Sequence, residues 1–95
     1  MKKITQKSVE HFLSNKPFKS SNTFVEVTDT SVYLFLFDNC IAERNKHGLF
    51  ITNCGWFTNT TKERLNSLPG VSICQKRFKW YLNGKEWDGS FTKVN

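Results

Sequence analysis

Phe78-Lys-Trp-Tyr-Leu-Asn-Gly-Lys-Glu-Trp87 is the stretch on which the fold turns. Asn83-Gly84 sits between two short runs rich in aromatic and aliphatic residues. A two-residue type I′ turn needs positive φ at both central residues, and Asn and Gly accept it most readily. That turn sets Leu82 opposite Lys85, Tyr81 opposite Glu86 and Trp80 opposite Trp87. A cross-strand Trp pair contributes about 0.2–1 kcal/mol. Alternation places Phe78, Trp80 and Leu82 on one face, with Lys79 and Tyr81 on the other.

Working upstream, Val71 to Gln75 reads as a partner strand with Val71 and Ile73 on one face. Pro69-Gly70 before it is a helix stop. Thr60-Thr-Lys-Glu63 matches a capping box, in which the hydroxyl and the carboxylate each satisfy a backbone N–H. It predicts a helix over 60–68, with Leu65 and Leu68 inward and Lys62 and Glu63 outward. Asn53-Cys-Gly-Trp-Phe57 is a crossing loop. Leu49–Thr52 and Cys40–Arg44 are strands joined by the hairpin loop Asn45-Lys-His-Gly48, with Ile41 and Glu43 on one face and Ala42 on the other.

Ser31 to Phe37 is apolar on both faces, which predicts a central strand covered on both sides. Asp38-Asn39 is the turn after it. Thr23 to Thr28 is a further strand, and Ser20-Ser21-Asn22 a loop. Thr5 caps a first helix running to about Asn15, with Ile4, Val9, Phe12 and Leu13 on its apolar face. Lys16-Pro17 ends it, because a residue before proline is pushed out of the helical region. The expected fold is α+β: an antiparallel β-sheet with two short helices on one face, in the order α-β4-α-β2, with a further short strand at Glu86-Trp87. The second face of the Val32–Phe37 strand requires a cover. A homodimer through the sheet supplies one, and a helix on each face is the other option.

Ninety-five residues make a single domain, 1–95, with a modest core. The aromatic content of 15% argues against disorder. The net charge of +6 favours anionic partners. Lys2, Lys3, Lys7, Lys16 and Lys19 against Glu10 give residues 1–19 a net +4. Lys76, Arg77, Lys79, Lys85 and Lys93 against Glu86 and Asp88 give residues 71–95 a net +3. Residues 20–59 between them carry a net −2. The odd set Cys40, Cys54 and Cys74 makes a poor disulfide framework and contains no C-x-x-C knuckle, so it predicts buried thiols in a reducing compartment. No metal site and no cofactor motif is read. No apolar run approaches a membrane span, and no signal peptide is read, so the expected location is cytoplasmic.

The run Asn59-Thr-Thr-Lys-Glu-Arg-Leu-Asn66, Leu68-Pro-Gly-Val-Ser-Ile73, Gln75-Lys76, Trp80-Tyr-Leu-Asn-Gly84 and Trp87-Asp-Gly89 resembles a group of small tailed-phage proteins of unknown function. The N-terminal helix and Ile51-Thr-Asn-Cys-Gly-Trp56 are also similar. The resemblance implies a phage or prophage origin and a role in the host cytoplasm. It implies no activity and no catalytic residue.

Lysines interleaved with aromatics suit single-stranded nucleic acid, whose bases stack while phosphates pair with cations. Tyr81 is the aromatic expected on the basic face. The candidate contacts are Lys62, Arg64, Lys76, Arg77, Lys79, Tyr81 and Lys85. Lys62 and Arg64 join because the helix N-terminus at Thr58–Thr61 presents free N–H groups and a positive dipole end. The competing explanation assigns Thr60 to its own cap, the tryptophans to the core and the lysines to protection of a sheet edge. Cys54 with His11 or His47 is the only nucleophile pairing to weigh, and nothing in the sequence brings them together. The reading is a small basic phage accessory protein, non-enzymatic, that binds nucleic acid mainly through phosphates. The alternative is a protein–protein interaction module that inhibits a host or anti-phage defence factor.

Overall fold

A computed structural model describes residues 3–94 of the chain; Lys2 of the basic N-terminal segment lies outside them. The described residues form an α+β fold, with antiparallel strands and two helices. Helix α1 (Lys3–Leu13) leads into β1 (Phe18–Ser20), β2 (Thr23–Val27), β3 (Ser31–Leu36), β4 (Asn39–Asn45) and β5 (Gly48–Ile51). Then come α2 (Asn59–Asn66), β6 (Ile73–Lys76), β7 (Lys79–Leu82), β8 (Lys85–Glu86) and β9 (Thr92–Lys93). The strands form two sheets where one was expected: β1-β2-β3-β4-β5-β9, and β6-β7-β8. The meander β2–β5 matches the sequence reading. β1 is a strand beyond those expected, and it takes in Ser20 from the expected Ser20-Ser21-Asn22 loop; it is three residues long, held between Pro17 and the turn at Ser21-Asn22.

Strand β3 divides its apolar residues between two faces. Val32, Leu34 and Leu36 are buried, whereas Tyr33 and Phe35 are half-buried on the other side. Both helices lie on the buried side. Arg44, paired with Val32, reaches the Phe12 carbonyl of α1 with Nη2 at 2.9 Å. Arg64 of α2 donates to Thr23, whose strand partner is Leu36. The option of a helix on each face is therefore wrong. The far face carries Phe24 stacked on Phe35 at 4.5 Å, Tyr33, and Phe50 stacked on Phe91 at 5.2 Å, with Glu26 and Glu43 among them.

A bulge corrects β4. Leu34 pairs with Ala42 and Phe35 with Cys40, so Ile41 is the extra residue. Ile41 and Ala42 are both buried, and Glu43 is on the open face.

The stripe of α1 is also rotated from expectation. Thr5, Ser8, Val9 and Phe12 are buried, with the i, i+3, i+4, i+7 spacing of one helix face, while Leu13 is exposed. Thr5 is inside the helix and is not its cap. Its hydroxyl donates to Glu63 Oε1 at 2.7 Å, and Ser8 Oγ donates to the Thr5 carbonyl at 2.9 Å. The helix closes on Asn15 at φ 57°, with Lys16 N–H donating to the His11 carbonyl at 3.0 Å. That is a Schellman closure.

The second sheet completes the core from the helix side. Ile73, Trp80, Leu82 and Trp87 are buried together with Leu65 and Leu68. The Asn66 amide pairs with both backbone groups of Ile73, at 2.6 and 3.0 Å. Trp87 Nε1 donates to Thr92 Oγ1 at 2.9 Å, which ties the small sheet to the large one.

Candidate nucleic-acid interface

The start of α2 differs from the capping box. Thr58 is the N-cap and accepts from Thr61 N–H at 3.2 Å. Thr60 and Glu63 do not close on each other. Instead Glu63 turns inward to Thr5 and Arg64. Arg64 is 2% exposed; it bonds Glu63, and also Thr5 at 2.5 Å and Thr23 at 3.3 Å. Its guanidinium is used up inside the protein and faces no solvent-borne phosphate. The space before the helix is a mostly apolar pocket of about 350 Å³ lined by Leu36, Phe37, Ile41 and Trp56, with Asn39, Thr58 and Thr61 at its polar edge. Its apolar walls are a poor surround for an anion.

The hairpin of the second sheet gathers the rest. Register pairs Ile73 with Leu82, Cys74 with Tyr81, and Lys76 with Lys79. Lys76, Lys79 and Tyr81 thus share the face opposite Trp80 and Leu82, as the alternation required for Lys79 and Tyr81. Arg77 and Phe78 form the connecting turn, with φ of 50° and 68°. Phe78 was expected on the Trp80 face; it is 97% exposed at the hairpin tip. Lys79 pairs with Glu86 at 3.2 Å across the surface. Such an exposed pair is worth little and exchanges readily for another anion.

Lys62 reaches the same sheet from α2. Its ammonium lies 6.0 Å from the Trp80 ring centroid and 3.3 Å from Gln75 Oε1. Lys85 is exposed but sits beside the Asn83-Gly84 turn, at the other end of β7 from Arg77. The structure therefore brings together Lys76, Arg77, Lys79 and Tyr81. Lys62 stands beside the buried face of their sheet, Lys85 stands apart, and Arg64 is withdrawn.

Two aromatics escaped the sequence reading. Phe57 is exposed and meets Trp80 edge-on, with centroids 5.1 Å apart. With Phe78, Lys79 and Asp88 it lines an open groove of about 610 Å³ whose floor is Trp80 and Trp87. No local signal separates a turn at 77–78 from one at 76–77, because both leave Ile73, Trp80 and Leu82 on one face; the observed pairing of Ile73 with Leu82 selects the former.

The cysteines are not the buried thiols expected from the sequence: Cys40 is half-buried, and Cys54 and Cys74 are exposed. Burial pushes the Cys40 thiol up to about 11, and partial burial also raises that of Cys54, which disfavours the thiolate of both. Cys54 Sγ donates to the Cys40 carbonyl at 2.9 Å, and His11 Nδ1 bonds the Lys7 carbonyl at 2.8 Å. Among the described residues no cluster of His, Cys, Asp and Glu is arranged to hold a metal. Among them, too, no helix is long and apolar enough to cross a membrane.

A family model described as Kyanoviridae Gp96 protein, a phage protein family, matches residues 1–94. No curated protein and no solved structure matches the chain.

Proposed function

We propose that this chain, which belongs to the Kyanoviridae Gp96 protein family, binds single-stranded nucleic acid through the β6–β7 hairpin. The observation that supports it is the convergence of Lys76, Arg77, Lys79 and Tyr81 on one exposed hairpin, with a fully displayed Phe78 at its tip. The cations meet phosphates, so binding is weakly sequence-selective and falls steeply with salt as counterions are released. Tyr81 supplies a stacking face. The role is that of a non-enzymatic accessory protein.

Mobility shift of short DNA and RNA strands across a salt series tests this. Arg77→Glu with Lys79→Glu is expected to remove most binding. Each lost phosphate contact lowers the salt slope by roughly one unit. Tyr81→Ala is expected to weaken single-strand binding by about 1–3 kcal/mol. No shift of either nucleic acid at low salt overturns the proposal.

A second reading has its own observation. The open face of the large sheet carries Phe24, Tyr33, Phe35 and Phe50 beside Glu26 and Glu43. An aromatic surface with carboxylates suits a protein better than a phosphate backbone. A second copy of this chain, or a host or defence factor, would cover it. Capture of a partner that survives nuclease treatment and rising salt would favour this reading over the first.

A further inference from the structure

The turn Arg77-Phe78 has the backbone of a hairpin turn that ordinarily takes Asn-Gly, yet it holds two bulky residues at φ 50° and 68°. A large side chain at positive φ is a genuine outlier, and such strain persists only where the surroundings hold it. The core draws nothing from Phe78, which is 97% exposed. What the conformation achieves is display. It stands an aromatic ring on the lining of the groove that Phe57 and the buried Trp80 and Trp87 also line.

Three charged residues line this groove: Lys79 and Glu86, which pair with each other at 3.2 Å, and Asp88. Lys76 shares the hairpin face of Lys79, and Arg77 is next to Phe78 in the turn. Hydrogen bonds from the Ser90 side chain and its backbone N–H hold the Asp88 carboxyl below its ordinary range. It is therefore an ionised, acceptor-only group at neutral pH. An exposed carboxylate on the groove's lining repels a phosphate but accepts from an amino group. Cytosine presents such a group on its edge, and thymine presents none.

We infer that the Phe57–Phe78 groove holds one unpaired nucleobase, stacked against Phe78 and read at its amino edge by Asp88, with Lys76, Arg77 and Lys79 on the adjoining phosphates. The inference rests on the nucleic-acid reading above and adds to it a stacking site and a base preference. Cytosine is favoured over thymine, and the displayed turn is kept for that contact.

The experiment follows quenching of Trp80 and Trp87 fluorescence on titration with deoxycytidine and deoxythymidine strands of roughly a dozen nucleotides. The wild-type protein is expected to bind the deoxycytidine strand more tightly. Phe78→Gly relieves the turn and is expected to fold at least as well, while weakening binding about ten-fold or more. Phe57→Leu removes the other wall and is expected to act in the same direction. In Asp88→Asn the amide oxygen can keep the Ser90 bond and leave an NH2 in the groove, so preference is expected to move toward deoxythymidine. If neither strand binds the wild type at low salt, this inference and the phosphate reading both fall. If both strands bind and the Phe78 and Phe57 variants are unaffected, the groove is overturned and the phosphate reading stands. An unchanged base preference in Asp88→Asn overturns the edge contact. Equal quenching by tyrosinamide would assign the groove to an aromatic side chain of a protein and overturn the nucleobase.

Discussion

Strand β7 is bounded by two turns of the same backbone shape and opposite chemistry. Asn83-Gly84 has φ of 51° and 87°, and Arg77-Phe78 has φ of 50° and 68°. Asn83 is also woven into the fold. Its side-chain oxygen accepts from Ser72 N–H at 2.8 Å, and its amide donates to the Gly70 carbonyl at 3.0 Å. The residues of the other turn bury nothing there and face solvent. One turn is built from what its geometry asks for; the other keeps residues that its geometry disfavours. The two arginines repeat the contrast, Arg64 being spent inside the protein and Arg77 displayed. A basic residue near a helix start and one at a hairpin tip look alike in sequence. Burial and hydrogen bonding assign them to different jobs.

The contrast is most easily broken at the arginines. Arg64→Ala takes a buried guanidinium from Glu63, Thr5 and Thr23, leaving Thr5 and Glu63 to each other, and is expected to cost about 3 kcal/mol in denaturant unfolding. Arg77→Ala is expected to stay within about 0.5 kcal/mol of the wild type. Equal losses at the two sites would erase the distinction. At the turns, Gly84→Val puts a β-branched residue at φ 87° and is expected to lower stability by about 2 kcal/mol or more. An unchanged melting temperature would contradict the paired Trp80–Trp87 hairpin.

The opposite sign is expected across the strand. Phe78→Gly should raise stability by about 0.5–1 kcal/mol, because glycine removes the steric penalty of this turn. Loss of stability there would show that the ring supports the fold after all.

A further effect concerns alkaline pH. Cys40 titrates near 11 in the folded protein against 9.0 for a free thiol, because burial disfavours its thiolate. The sign follows from a folded value above the unfolded one. The contribution is complete below about pH 9 and fades as pH rises toward 11. Cys40→Ala should flatten the fall in melting temperature across that window, and a fall of the same steepness in the variant would remove Cys40 from the account.

Much of the fold was legible. The Asn83-Gly84 turn, the meander from Thr23 to Ile51 and the inward Leu65 and Leu68 all follow from local rules, and each recurs in the structure. The errors lie where a local rule met a distant partner. Thr5 looked like a cap because nothing nearby revealed Glu63, fifty-eight residues away. Thr60 and Glu63 matched a capping box, but Thr58 took the cap and Glu63 was drawn inward to Thr5 and Arg64. Phe78 was assigned to the strand by a one-residue shift in where the turn begins, and such a shift moves a side chain to another face.

The sequence by itself determined the α+β class, the antiparallel pairing at Asn83-Gly84 and the basic character of the β6–β7 region. These depend on turn chemistry, alternation and charge, which act between neighbours. Only the tertiary structure decided that Ile41 and Ala42 share a face, that Arg64 is interior, and that one face of the large sheet stands open. It alone brought Phe57 and Phe78 to the same groove, twenty-one residues apart in the chain. The physical reason is that burial and side-chain pairing are settled by which elements meet, and a bulge, a rotated helix stripe and a buried ion pair each need a partner that lies far along the chain.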